Sequence, residues 1–382
     1  MKALRNFIDS VKPQFEKGGK FEKLRSTFGA FETFLFVPNT TNKGGVHVRD
    51  AVDLKRTMSV VVLALIPALL FGMWNTGYQH FKMTGEEATF FETFWEGFLA
   101  VLPIIIVSYV VGLGIEFAVA QMRGHEVNEG FLVSGMLIPL VVPADIPLWM
   151  VAVATAFAVI FGKEVFGGTG MNIWNPALIA RAFLFFAYPS KISGDTVWYS
   201  DCVDGFTGPT ALSLAGTGDY NTYSTLDAVI GWIPGSIGET SVIAIGLGAI
   251  LLLITGVASW KTMFSVIAGG AIMGIVFNQF GSADNAMAMF PWYQHLVVGG
   301  FAFGAVFMAT DPVTSPRTET AKYIYGFLIG AMAIIIRVLN PGYPEGMMLA
   351  ILLMNTFAPL FDYFVVQKNI SKRKNRVKTV KA

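Results

Sequence analysis

The chain alternates between long apolar runs and short polar linkers. Ten apolar runs occur, at 57–74, 98–120, 131–142, 148–161, 176–188, 241–257, 263–280, 296–309, 323–339 and 347–364. A helix needs about 20 apolar residues to cross a bilayer, and several of these runs are much shorter. The short runs predict half-helices or broken helices packed inside the protein, as in transporters. The pattern therefore predicts an all-α polytopic membrane protein with about ten transmembrane segments.

Positive charge is concentrated at the two ends of the chain. Of the 27 Lys and Arg residues, eleven precede Thr57 and seven follow Val366. The positive-inside rule places both termini in the cytoplasm. The longest linker, 189–240, holds six acidic residues against one lysine and is predicted to lie outside. The predicted organisation is a basic N-terminal segment (1–56), a first membrane repeat (57–188), an outer loop (189–240), a second membrane repeat (241–366) and a basic tail (367–382).

Two stretches of the chain are weakly similar to each other. "EGFLVSGMLIPLVVPADIP" at 129–147 is followed by Asn175-Pro176, and "HLVVGGFAFGAVFMATDP" at 295–312 is followed at nearly the same spacing by Asn340-Pro341. Two repeats of five segments each have inverted topology, which predicts a site at the broken helices near their pseudo-two-fold axis. Chance similarity between glycine-rich apolar segments is the alternative.

Composition supports the membrane assignment. The chain is 54% hydrophobic and 14% charged, whereas soluble domains have about 25% charged residues. The net charge of +1 gives no preference for nucleic acid. The single cysteine excludes a disulfide or a Cys-ligated iron–sulfur cluster within the chain.

The polar stretch "DGFTGPTALS" at 204–213 lies in the predicted outer loop. Gly205, Gly208 and Pro209 predict an exposed turn that presents a threonine hydroxyl. On spacing alone, an ordinary surface turn is the alternative. The pattern DxxTGxT resembles the recognition sequence of flavin transferases, which move FMN from FAD onto the last threonine. Its residues here are Asp204, Thr207, Gly208 and Thr210.

Further motifs are similar to the B subunit of the sodium-translocating NADH:quinone oxidoreductase. They are "GKEVFGGTGMNIWNPAL" (162–178), "IPGSIGE" (233–239), "FMATDPV" (307–313) and "NPGYPEGMMLAIL" (340–352). The similarity runs from about His47 to Asp362. The related D subunit of the Rnf complex shares the threonine motif, but the basic segment "HVRDAVDLKR" (47–56) favours the quinone reductase. Pro209 departs from the family, which usually has alanine there.

The resemblance implies a redox function. It implies FMN bound covalently to Thr210, a noncovalent riboflavin in the membrane part, and electron transfer to ubiquinone or menaquinone coupled to Na⁺ export. The implied partners are the NADH-oxidising flavoprotein, a second FMN-carrying subunit, membrane lipid and quinone. The implied location is the bacterial inner membrane. A passive channel for a small polar solute is the alternative class, but a channel has no reason to carry a flavin-attachment motif.

Two glycine-containing breaks are candidate binding sites. In "GGTGMNIWNPA" (167–177), freed backbone amides together with Asn172 and Asn175 could bind the isoalloxazine of riboflavin. The alternative is a helix break whose asparagines only satisfy backbone groups. Gly112, in "VVGLG" (110–114), is predicted to let a quinone ring approach, with close helix packing as the alternative.

Three carboxylates lie in or beside apolar runs, where charge is costly and usually functional. They are Glu116, Asp311 and Asp362. A cluster of carboxylate oxygens on the cytoplasmic side suits the entry of Na⁺, which prefers oxygen ligands. The alternative is that each pairs with Lys or Arg or caps a helix.

Overall fold

The computed structural model describes residues 2–16, 18–36, 42, 44–48, 54–124, 127, 130–192, 208–340 and 345–380. These residues form helices and turns, and no β-strand occurs among them. The prediction of an all-α chain is therefore confirmed.

Two amphipathic helices precede the first apolar run. They are α1 (Lys2–Val11) and α2 (Arg25–Leu35), with short 3₁₀ turns at Lys12–Gln14 and Glu22–Leu24. Glu32 of α2 forms ion pairs with Arg5 and Lys12. The two helices are thus tied into one unit by charge.

Five apolar helices follow in the first half of the membrane part. They are α3 (Leu54–Thr84), α4 (Phe90–Arg123), α5 (Phe131–Leu140), α6 (Leu148–Val159) and α7 (Pro176–Ala187). A π-helical turn, Ile160–Glu164, extends α6. α4 begins at a capping box formed by Thr89 and Glu92, and it ends at Gly124, whose positive φ of 69° favours glycine.

The connection to the second half contains a 3₁₀ turn, Pro189–Lys191, and two short helices, α8 (Ala211–Thr217) and α9 (Thr225–Ile230). The second half comprises α10 (Val242–Ile254), α11 (Trp260–Phe280), α12 (Ala286–Met289), α13 (Trp292–Val297), α14 (Phe301–Phe303), a π-helical turn (Gly304–Met308), α15 (Glu319–Leu339) and α16 (Met347–Val380).

Long and short helices are mixed, as the apolar run lengths predict. Among the described residues, five helices are long and apolar enough to cross a membrane: α3, α4, α11, α15 and α16. Three shorter apolar helices, α5, α7 and α10, are of 10 to 13 residues. The polytopic membrane architecture with broken segments is confirmed.

The packing order within the two halves is similar. α4 packs on α6 and α6 on α7, while α11 packs on α15 and α15 on α16. Glycines allow α11 and α15 to approach closely. A Cβ atom at Gly269 would lie 2.1 Å from the Phe327 carbonyl oxygen, and one at Gly330 would lie 2.0 Å from the Val266 carbonyl oxygen. The inverted repeat itself stays a prediction.

Linkers that charge assigns to the same side of the membrane lie together. α2 touches the end of α4, where Gln121 Nε2 donates to Thr27 Oγ1 at 2.7 Å. At the other end of the first spans, Asn75 Nδ2 donates to the carbonyl oxygen of Ile233 at 3.0 Å. The sidedness itself stays a prediction.

Some predicted segment boundaries coincide with helix ends and others fall inside helices. Tyr188 and Ser241 are the C-cap of α7 and the N-cap of α10, so the outer-loop limits coincide with helix ends. The limits at 56/57 and 366/367 fall inside α3 and α16. Helical hydrogen bonding continues past the end of an apolar run when polar residues also have good helix propensity.

Candidate functional site

Thr210 is the N-cap of α8. Its Oγ1 accepts a hydrogen bond from the backbone N–H of Ser213 at 3.2 Å, the usual role of threonine at this position. The preceding Gly208 is buried. The other two motif residues, Asp204 and Thr207, lie outside the described residues. The threonine predicted for flavin attachment is therefore held by its own helix start.

A small cleft opens beside Thr210. Its walls come from the start of α8, the linker before α10 and the loops before α14 and α16; they include Leu212, Ile233, Ser236, Thr240, Gly299 and Glu345. Thr240 is 3% exposed, and its hydroxyl has no hydrogen-bond partner in the described part of the chain. A buried polar atom without a partner is uncommon in folded proteins, so this hydroxyl is available to a ligand.

The linker before α10 owes its position to backbone pairing with the end of α5. The Gly238 N–H donates to the Leu140 carbonyl at 2.8 Å, and the Ile237 N–H donates to the Val142 carbonyl at 3.3 Å. A side chain at Gly238 would meet the Leu140 side chain at 2.8 Å, so only glycine allows this approach. The pairing carries Glu239 into the protein interior.

An ion cluster forms the floor of the cleft. Arg181 Nη1 donates to Glu239 Oε1 at 2.6 Å, and its Nη2 donates to Glu345. Arg181 and Glu239 are buried and Glu345 is 19% exposed. Burial raises the pKa of Glu239 above its ordinary value, and the Arg181 charge opposes that rise. The cluster ties α7, from the first half, to the linkers before α10 and α16.

Arg337 supports the same region from α15. It is fully buried, its Nη2 donates to the Val298 carbonyl at 3.0 Å, and its Nε donates to the Glu345 carbonyl at 3.2 Å. Its guanidinium lies 5.7 Å from the centre of the Phe301 ring. Glu239 and Glu345 were not among the predicted site residues. The sequence offered one indication of them, a carboxylate close to an apolar run, where an unpaired charge is costly.

The predicted riboflavin residues lie at the break before α7. Asn175 caps the helix, since its Oδ1 accepts from the Ala177 N–H at 2.9 Å. Its Nδ2 donates to Asp311 Oδ2 at 3.3 Å. Asn172 Nδ2 donates to the Trp174 carbonyl at 3.0 Å. Asn175 thus satisfies a backbone group, as the alternative required, and it also joins the two halves.

A polar contact layer surrounds this break. Trp174 Nε1 donates to Thr356 Oγ1 of α16 at 2.9 Å. Next to Thr356, Asn355 is 1% exposed and accepts from the Tyr325 hydroxyl at 2.6 Å. The Asn355 Nδ2 group is buried and has no hydrogen-bond partner among the described residues. A donor of this kind suits a ligand that carries carbonyl oxygens or ring nitrogens.

The three predicted Na⁺ carboxylates have separate partners. Glu116 of α4 pairs with Lys163 at 2.7 Å. Asp311 accepts from Asn175, from the Val313 N–H at 3.0 Å and from Thr314 Oγ1 at 3.1 Å. Asp362 accepts from the backbone N–H groups of residues 317 and 318 at 2.8 and 2.9 Å, at the start of α15.

Among the described residues, no group of three or more His, Cys, Asp or Glu side chains that could hold a metal ion occurs. Each of the three carboxylates is held by donors on neighbouring elements. The individual roles of Glu116, Asp311 and Asp362 in Na⁺ transport stay predictions.

Gly112 lies against an aromatic ring. A side chain at this position would come within 2.0 to 2.6 Å of the Phe131 ring. Phe131, at the start of α5, occupies the space beside Gly112, so a quinone at Gly112 would require Phe131 to move. The quinone role of Gly112 stays a prediction.

Comparison with known proteins gives similarity along almost the whole chain. The profile of the NQR2, RnfD, RnfE family matches residues 41–371. A protein of Ectopseudomonas mendocina is 49% identical and one of Azotobacter vinelandii is 48% identical, each over 97% of this chain and 98% of the relative. A protein of Chromohalobacter salexigens is 48% identical over 98% of this chain and 96% of the relative. All three are named as the B subunit of a Na(+)-translocating NADH-quinone reductase. The chain, with its polytopic helical fold and its matched length, belongs to the NQR2, RnfD, RnfE family.

Proposed function

We propose that this chain is the membrane subunit of a Na⁺-translocating NADH:quinone oxidoreductase and carries FMN on Thr210. The observation that supports it most is the Thr210 cleft, which combines a half-buried threonine with the hydroxyl of Thr240, unpartnered in the described part of the chain. The names of the curated relatives support the same function.

A phosphate ester at Thr210 would place FMN at the edge of the cleft, at the start of α8. The carboxylates of Glu239 and Glu345 line the cleft, and Arg181, which pairs with both, together with Arg337 offsets their charge. FMN and riboflavin, when bound, supply one-electron transfer.

The polar layer around Asn172 and Asn175 fits a noncovalent riboflavin. The Asn355 Nδ2 group is a buried donor with no partner in the described part of the chain, next to the Trp174–Thr356 contact. The Asn172 side chain is half-buried and is held by the Trp174 carbonyl. Because these groups come from both halves, riboflavin at this place would lie at their interface.

Electron donors and acceptors follow from the proposed complex. The NADH site belongs to a partner protein of the complex, the NADH-oxidising flavoprotein, and a second FMN-carrying subunit completes the electron path. Quinone is the acceptor and Na⁺ is the transported ion. The names of the relatives favour quinone over the ferredoxin of an Rnf-type complex, and an assay with quinone or ferredoxin separates these alternatives.

Replacement of Thr210 tests the attachment site. Thr210→Ala is expected to abolish the flavin fluorescence of this subunit after denaturing electrophoresis, because the ester oxygen is lost. The matched control is Thr217→Ala, which removes a threonine at the other end of α8 and is expected to retain full fluorescence. Mass spectrometry of the 204–213 peptide should find a single FMN adduct on Thr210. Fluorescence that persists in Thr210→Ala would overturn the assignment.

A further inference from the structure

The Glu116 carboxylate lies where four segments meet. Lys163 Nζ donates to its Oε1 at 2.7 Å, and Thr169 Oγ1 donates to the same oxygen at 3.2 Å. The Phe131 N–H, at the start of α5, donates to its Oε2 at 3.3 Å. The side chains of Glu116 and Lys163 are 5% and 3% exposed, so the ion pair is shielded from water.

Local backbone geometry brings Lys163 to this place. The π-helical turn Ile160–Glu164 adds a residue to one turn at the end of α6, a distortion often found at functional sites. The following loop folds back, with the Gly168 N–H donating to the Lys163 carbonyl at 3.1 Å. Gly168 has a φ of 96°, which disfavours other residues. The fold back also brings Thr169 to Glu116.

A second ion pair is formed by the residue that follows Lys163. Glu164 lies 3.7 Å from Arg123, whose side chain is 43% exposed. The Arg123 guanidinium also donates to the Glu164 carbonyl at 2.8 Å. This pair ties the π-helical turn to the end of α4.

The ammonium of Lys163 and a sodium ion would compete for the same carboxylate oxygen. Each carries one positive charge and can neutralise Glu116 when it occupies that oxygen. A buried carboxylate without a cation is strongly destabilised, because neutral hydrogen-bond donors alone do not offset its lost hydration. Na⁺ can therefore occupy this oxygen only when the Lys163 ammonium is displaced from it.

We infer that Lys163 is a tethered counter-cation that competes with Na⁺ at Glu116 and thereby sets the Na⁺ concentration at which the complex is half-saturated. The inference rests on the proposed function in Na⁺ transport. It adds a positioning role for Lys163, which acts through Glu116. Without its ammonium, Na⁺ binds to Glu116 with no competitor.

Lys163→Met tests this role because methionine fills a similar space without charge. In the assembled complex, the Na⁺ concentration for half-maximal quinone reduction is expected to fall about fivefold or more, the scale of coupling between binding events. Glu116→Gln is expected to raise it. Adding Lys163→Met to Glu116→Gln is expected to leave the Na⁺ half-saturation where Glu116→Gln put it, since the negative charge for which the two cations compete is gone. Lys261→Met, which removes a lysine paired with Glu319 elsewhere, is the matched control and should leave the value unchanged.

A second measurement covers the case in which Lys163→Met does not assemble. Lys163→Gln replaces the ammonium with an amide that still donates to Glu116. Its thermal midpoint should rise more with added NaCl than that of the unaltered complex, relative to choline chloride, because ligand binding stabilises the folded state. An equal rise in the two proteins would count against competition at Glu116.

The outcomes separate the inference from the proposed function. An unchanged Na⁺ half-saturation in the Lys163 variants, with a shift in Glu116→Gln, would refute the role of Lys163 and keep Glu116 in Na⁺ binding. If the Na⁺ half-saturation is unchanged in all of these variants, neither Lys163 nor Glu116 takes part in Na⁺ binding. FMN on Thr210 is checked separately by gel fluorescence, so the flavin assignment does not depend on either result.

Discussion

Arg181 of α7 joins the two halves of the protein through a buried ion cluster. It is 3% exposed and contacts Glu239, 7% exposed, and Glu345, 19% exposed. Arg181→Met keeps most of the apolar stem but leaves two carboxylates without their shared cation. Because removal of one partner from a buried ion pair costs about 3–5 kcal/mol, we expect a loss of that size. Glu345 adds little to it, since water reaches this carboxylate.

The expected loss is large enough for a simple assay. A thermal melt of the detergent-solubilised complex should show a midpoint lower by roughly 3–10 °C, from the usual relation between free energy and melting temperature in large chains. Lys261→Met removes an ion pair whose members are 26% and 61% exposed, and such pairs contribute at most about 1 kcal/mol. This control should melt close to the unaltered protein.

The pH dependence of Arg181→Met follows from the pKa of Glu239. Burial raises this pKa, and the variant loses the charge that opposes the rise. A carboxyl group with a raised pKa binds a proton more tightly in the folded state, so stability is lost as the pH rises through the folded pKa. The deficit of Arg181→Met should therefore grow as the pH rises.

Two results would refute this reasoning. One is a deficit below about 1 kcal/mol, the scale of an exposed pair, which would show that water or another cation already neutralises the carboxylates. The other is a deficit that grows as the pH falls. The triple variant Arg181→Met, Glu239→Gln, Glu345→Gln should recover part of the stability, because it buries no unpaired charge.

Two further predictions concern packing and capping. Gly112→Ala should destabilise the protein by about 1–3 kcal/mol because the added methyl group meets the Phe131 ring. Gly114→Ala is the control: a methyl group there has nothing within 4 Å, so it should be neutral or slightly stabilising. Equal melting midpoints for the two variants would contradict the packing of Phe131 on Gly112. Asp362→Ala should lower the free energy of unfolding by about 1–3 kcal/mol because it leaves backbone donors at the start of α15 unpaired, and Asp362→Asn should recover part of this, since its amide oxygen still accepts. An Asp362→Ala protein that melts at the same temperature as the original would show that the cap contributes nothing.

The helices themselves were largely predictable. Apolar residues that must avoid water, in runs too long for a soluble core, require helices in lipid, because a lipid-exposed backbone must satisfy its own hydrogen bonds. The short run at 131–142 predicted a broken segment, and α5 is 10 residues long. Helix ends were less accurate: α3 and α16 extend beyond their apolar runs because polar residues continue the hydrogen-bonding pattern.

Side-chain partners were not predictable. Nothing in the local sequence pairs Asn175 with Asp311, since 136 residues separate them. The same holds for Arg181 and Glu345, which are 164 residues apart. The separate partners of Glu116, Asp311 and Asp362 could not be predicted either, because spacing along the chain does not fix which helix faces meet.

The sequence by itself determined the polytopic helical class, the places where helices break and the threonine motif, because hydropathy and local turn chemistry act over short distances. Only the tertiary structure decided that Glu116 pairs with Lys163, that Phe131 covers Gly112 and that Thr210 borders a cleft backed by Arg181. These contacts depend on how distant helices pack, and the cost of burying charge then determines which partners must meet.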